Sequence, residues 1–164
     1  MCRCGMVTFM NDRIIELVDK KIKQLEQFNE VTSRMLYEDI GEMDNLLDER
    51  DEIVRNVDGI SLDIKQYVNE LPIELQSKIK AIFYSQKIND LSGELLALQE
   101  KLRQQERLVS VIKEADKKAY SRLKAMQNDL LEEMTELNKT KQVANYFSQT
   151  GIDLSKGAKL NISN

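Results

Sequence analysis

Apolar residues recur at helical spacing along most of this chain, and the pattern is most regular in its second half. From Leu91, steps of alternately four and three residues land on 95, 98, 102, 105, 109, 112, 116, 119, 123, 126, 130, 133, 137, 140, 144 and 147, and thirteen of these seventeen positions are apolar. The exceptions are Gln105, Asp116, Glu133 and Thr140. A heptad sustained this long, with the chain's single proline upstream at Pro72, predicts one very long C-terminal helix carrying a coiled-coil seam. At 1.5 Å per residue, roughly 60 residues of helix span about 90 Å.

Earlier elements carry shorter faces. Ile15, Val18, Ile22, Leu25, Phe28, Thr32 and Leu36 predict a first helix that opens at Asn11 or Asp12, either of which can accept bonds from free first-turn amides. Around Tyr37 to Gly41 the pattern changes. Asp39 followed by Glu42 resembles a capping box and Gly41 is poor in a helix interior, so a second helix or a hinge begins there. Its seam runs through Met43, Leu46, Leu47, Ile53, Val54, Val57, Ile60, Ile64, Val68 and Leu71, interrupted by Arg50 and Gly59. An arginine in such a seam buries its stem while its guanidinium reaches a nearby acid. Pro72 ends the helix near Glu70, and a short amphipathic helix follows with Ile73, Leu75, Ile79, Ile82 and Phe83, before a turn at 85–89.

The expected fold is therefore all-α: an elongated antiparallel helical hairpin or bundle with coiled-coil packing and one very long C-terminal helix. Two arrangements fit. The helices of residues 12–70 lie end to end against the last helix, or the chain folds back at Gly41 and leaves part of the last seam without an internal partner. Residues 1–10 read as a disordered N-terminal extension, with 1–9 as additions from an upstream start codon, and 11–147 as the helical domain. Residues 148–164 read as a flexible tail, although Ile152, Leu154, Leu160 and Ile162 would also suit ordering against a partner.

Composition sharpens this picture. Charged residues make up 32% of the 164 and aromatics 5%, a balance that suits exposed helices with narrow seams. Charge is unevenly placed: between Glu38 and Glu74 twelve acids face Arg50, Arg55 and Lys65, a local balance of −9 within a chain of net −4. Such a run is either a solvated helix face or a docking face for a basic partner. It offers no clustered basic stripe for nucleic acid. Cys2 and Cys4, one residue apart, cannot staple a fold, and without histidine they cannot complete a metal site. A reducing compartment follows. With no apolar run long enough for a membrane span and no apolar core of a secretory signal in residues 1–13, a cytoplasmic protein is expected.

Catalysis has little to work with. The chain lacks histidine, the commonest general base, and has no glycine-rich phosphate loop. Paired carboxylates such as Asp48 with Asp51 and Glu132 with Glu136 belong to solvated helix faces, and the acidic run at 44–58 lacks the ligand order of a calcium loop. A non-enzymatic binding protein without a cofactor is the expectation. Methionines Met35, Met43, Met126 and Met134 on or beside the seams suit either core filling or an adaptable contact surface. The last seam changes character along its length. From Leu91 to Ile112 it is mainly Leu, Val and Ile, which suit a permanent core, whereas from Ala119 to Phe147 it shifts to Ala, Leu, Met, Thr and Phe with Glu133, which suits an exchangeable surface.

The segment Met35 to Val57, MLYEDIGEMDNLLDERDEIVRNV, resembles the flagellar export chaperones of the FlgN type, with Asp39, Gly41, Met43, Leu46, Leu47, Arg50 and Ile53 at the places of that family's pattern. The stretch Leu130 to Phe147, LLEEMTELNKTKQVANYF, is similar to its last helix, and the resemblance covers about residues 10–150. It implies a cytoplasmic chaperone of flagellar type III export that holds an amphipathic terminal helix of a hook-associated or similar secreted client and delivers it to the export gate. The client contacts it implies are Leu123, Met126, Leu130, Met134, Leu137, Ala144 and Phe147, with Tyr146 meeting the gate. The rival expectation is a structural homodimeric coiled coil without a client, in which Gln105, Asp116 and Glu133 set the register between two copies.

Overall fold

The computed structural model describes residues 4–86, 91 and 93–150, with side chains from Asp12 onward apart from 147, 149 and 150. Helix α1 spans Cys4–Arg34, α2 Met43–Glu70, α3 Ile73–Phe83 and α4 Gly93–Thr150, with a 3₁₀ turn at Ile40–Glu42 ahead of α2. Among the described residues there is no strand, and no helix is long and apolar enough to cross a membrane. The chain divides into two compact units, residues 1–120 and 121–164, and the boundary falls within α4.

Helix α1 starts at Cys4 rather than at Asn11 or Asp12. Residues 4–10 contain no proline, and Met6 and Met10 extend the four-residue spacing back from Ile14, so nothing halts the helix at the asparagine. The expected extension at 1–10 is thus helical from Cys4; Cys2 lies outside the described residues, as do Ile152, Leu154, Leu160 and Ile162 of the tail.

Chain reversal follows Arg34. Backbone bonds Met35 N–H to Val31 O (3.1 Å) and Glu38 N–H to Arg34 O (3.0 Å) close the last turn, and Asp39 is extended at φ −70° and ψ 162°. The Asp39 side chain makes no capping bond; the turn is closed instead by Glu42 N–H to Asp39 O at 3.0 Å. Helix α2 then returns antiparallel to α1, with Arg34 paired to Glu49 at 3.1 Å and the Asn56 amide donating to Gln24 at 3.3 Å. Of the two arrangements open to the sequence, the chain takes the one that folds back.

Pro72 has the predicted effect. Helix α2 stops at Glu70, Leu71 is extended at ψ 159°, and the freed carbonyls of Asn69 and Leu71 accept bonds from the Gln76 side-chain amide at 2.9 and 2.8 Å. At the end of α3, Gln86 N–H reaches Ala81 O and Ser85 N–H reaches Ile82 O, both at 3.0 Å, around Ser85 at φ 54°. This is a Schellman closure with serine at the left-handed position where glycine is usual.

Within residues 1–120, α4 runs parallel to α1 and antiparallel to α2: Lys101 pairs with Asp19 at 2.7 Å, and Asp116 with Arg50. The main core joins Ile14, Leu17, Val18 and Ile22 of α1, Ile64 and Val68 of α2, Ile79 and Ile82 of α3, and Leu95, Leu98 and Leu102 of α4. A helix flanked by two neighbours buries a wider arc than one seam. Ile14, Leu17 and Val31 therefore join the buried face of α1, and Met35 just past its end is buried with them, while Ile15, Leu25 and, beyond the helix, Leu36 of the expected face are only half-buried.

Candidate binding face on the C-terminal half of α4

Up to Ala119 the α4 seam is occupied: Leu95, Leu98, Leu102, Ile112 and Ala119 are buried. Asp116, a polar interruption of this seam, is answered by Arg50, the polar interruption of the α2 seam. The Arg50 guanidinium also lies 4.3 Å from the centre of the Phe28 ring and 3.3 Å from the Met35 sulfur. These contacts hold the register of α1, α2 and α4 near the chain reversal, and they engage within one chain a carboxylate that the homodimer expectation assigns to pairing between copies.

Beyond residue 120 the same seam continues on a helix whose residues 127–146 are all exposed. At 100° per residue, Leu123, Met126, Leu130, Met134, Leu137 and Ala144 fall within an arc of roughly 80°. Leu123 and Met126 are half-buried, whereas Leu130 is 43% exposed, Met134 59% and Leu137 61%. Phe147 lies on α4, with its side chain outside the described residues. Tyr146, 63% exposed, sits about 160° round the helix from the middle of this arc. Six of the seven sequence-predicted contacts are thus gathered on one face, Phe147 falls about 100° from its middle, and Tyr146 is set further apart.

Glu133 breaks the strict heptad, and Met134 beside it keeps the apolar strip continuous, so the face follows the helix's own 3.6-residue period. Leu131, 55% exposed, borders the strip beside Met134. Reading along the 4–3 steps alone passes over it; its three-residue spacing from Met134 is the signal that finds it. Charge is blocked along the helix, with Arg122 and Lys124, then Asp129, Glu132, Glu133 and Glu136, then Lys139 and Lys141. Glu136 and Lys139 pair at 2.9 Å with both side chains in solvent.

Among the described residues no group of three Cys, His, Asp or Glu side chains could hold a metal ion. What the face offers is association: apolar side chains in water, along one helix, rimmed by charge. No family model, no curated protein and no solved structure matches the chain.

Proposed function

We propose that the protein is a cytoplasmic, non-catalytic chaperone of flagellar type III export, and that residues 123–147 of α4 hold an amphipathic terminal helix of a hook-associated or similar secreted client. The observation that carries this reading is the strip from Leu123 to Ala144, which is apolar and, from Leu130 onward, exposed. A second amphipathic helix laid along it, apolar face to apolar face, covers the strip. Complete burial of a Leu or Met side chain is worth about 1.5–3 kcal/mol, so five or six of them offset the several kcal/mol that association costs. Tyr146 lies outside the covered arc, on the side of α4 that a bound client leaves turned toward the export gate.

The experiment is a titration of the full chain with a peptide of a hook-associated protein's terminal helix, read by calorimetry. Saturable binding that Leu130→Asp abolishes supports the chaperone reading, and absence of binding to any flagellar export substrate sinks it.

A second reading has its own observation. Two copies laid antiparallel about Leu130 would set Leu123 against Leu137 and Met126 against Met134, with Arg122 close to Glu136, which gives charge complementarity. Sedimentation equilibrium separates the two: a monomer at micromolar concentration removes self-pairing, and a tight dimer dispersed by Leu130→Asp removes the client.

A further inference from the structure

A cleft of about 580 Å³ opens between α1, α2 and α3 in the first unit. Its floor is Ile64, Val68 and Phe83, and its rim carries Lys21, Lys65 and Lys80, one lysine from each helix. In a chain of net charge −4, three ammonium groups round one cleft are a local reversal of sign. Neighbouring lysines have found carboxylates: Lys20 pairs with Glu16 at 2.9 Å and Lys101 with Asp19 at 2.7 Å. Among the described residues none of the three rim lysines is in an ion pair, and Lys80 leans instead on the neutral Gln76 amide oxygen at 3.3 Å. Burial holds the Lys21 ammonium below the ordinary lysine value, with the charge of Asp58 pulling the other way. The fold thus keeps a partly desolvated cation at an opening without a salt bridge, an arrangement that an incoming anion relieves.

We propose that this cleft docks an acidic segment of a partner protein, seating one bulky apolar side chain on Ile64, Val68 and Phe83 while flanking carboxylates meet Lys21, Lys65 and Lys80. An apolar floor inside a ring of three lysines suits a carboxylate-bearing peptide with one bulky apolar side chain better than a run of phosphates. The Tyr84 side chain at the rim adds a hydroxyl and an aromatic edge. This site is separate from the α4 face, and its occupant is chosen by charge where the α4 face selects an apolar stripe.

The test uses the full chain labelled with ¹⁵N and titrated with the peptide acetyl-Gly-Glu-Asp-Phe-Glu-Asp-Gly-amide. Amide shifts confined to Lys21, residues 61–69 and residues 80–84, with none across 121–146, are expected. Lys65→Gln with Lys80→Gln should weaken binding about tenfold through loss of two charge-assisted contacts. Both lysines are exposed, so the folded state is retained. Replacing the peptide's Phe by Gly should weaken binding to the same degree, and this arm does not depend on the stability of any variant. No shifts at millimolar peptide, equal binding of the Gly peptide, or tighter binding of dodecanoate at the same residues would each overturn the assignment.

Discussion

Arg50 keeps only 17% of its side chain exposed while Asp116 keeps 42%, so their ion pair is half-solvated. A surface pair contributes about 0–1 kcal/mol, and breaking a fully buried one costs about 3–5 kcal/mol. Asp116→Ala should fall between, lowering stability by about 1–2 kcal/mol in urea unfolding, because Arg50 loses its carboxylate and keeps the Phe28 ring. The double replacement Arg50→Met with Asp116→Leu removes the desolvated charge as well and should come out neutral or stabilising. If it unfolds the protein, the pair contributes more than register. The periodicity marks both residues as polar interruptions of two seams. That each answers the other, across 66 positions, is legible only once α2 and α4 lie antiparallel, since spacing reports which face a residue occupies and not what that face meets.

Lys21 makes a second residue-scale argument, through pH. Its folded-state pKa lies below the ordinary lysine value of 10.5 because burial disfavours the ammonium. The sign is that of a penalty: folding disfavours the charged form, so the destabilisation is fully present below the folded pKa and disappears as pH rises through the unfolded value. Lys21→Met should therefore raise the melting midpoint at neutral pH, and the gain should vanish above about pH 10.5, where the wild-type lysine is neutral in both states. A gain independent of pH would assign the effect to packing instead.

At the scale of elements, α4 is one helix with two kinds of seam. Leu98 is 2% exposed and Leu102 7%, so Leu98→Asp or Leu102→Asp places an unpaired charge in the core and should abolish cooperative folding. Met126→Asp and Leu130→Asp change half-buried and exposed positions and should shift stability by less than about 1 kcal/mol while removing partner binding. Circular dichroism melts of all four variants, alongside a binding assay, check the contrast, and a uniform loss of stability would erase it. The heptad made both halves of this helix legible, and the shift from Leu, Val and Ile to Met, Ala and Thr pointed to the half that lies exposed. The wider buried arc of α1 was not legible, because a helix with two neighbours adds Ile14, Leu17 and Val31 to a face that a single seam would leave at the edge. The end of α3 supplies a further element-scale prediction. Ser85 at φ 54° occupies a conformation that glycine adopts freely, so Ser85→Gly should stabilise by about 0.5 kcal/mol. The gain is reduced by loss of the exposed Ser85 hydroxyl bond to Glu106 at 2.7 Å, and thermal unfolding measures the balance.

For the whole molecule the division at residue 120 sets how stability is distributed. In the first unit, amides of α1, α2 and the early part of α4 sit on helices whose faces share one core, and they exchange with solvent only when that core opens. In the second unit the described residues form helix alone, exposed from 127 to 146, so its hydrogen bonds rest on propensity, i,i+3 pairs such as Glu136 with Lys139, and continuity with the preceding turns. Solvated helices of this kind open locally at little cost, since most helical stability in proteins comes from packing an amphipathic face. Hydrogen exchange on the free chain should therefore show residues 127–146 exchanging orders of magnitude faster than residues 14–22 and 95–102. Addition of a partner that covers the Leu130 to Ala144 strip should slow exchange across that segment and leave the core residues unchanged. Strong protection of 127–146 in the free chain at high dilution, where self-association is lost, would mean that the strip is already covered from within, and would remove the exposed face on which partner binding rests.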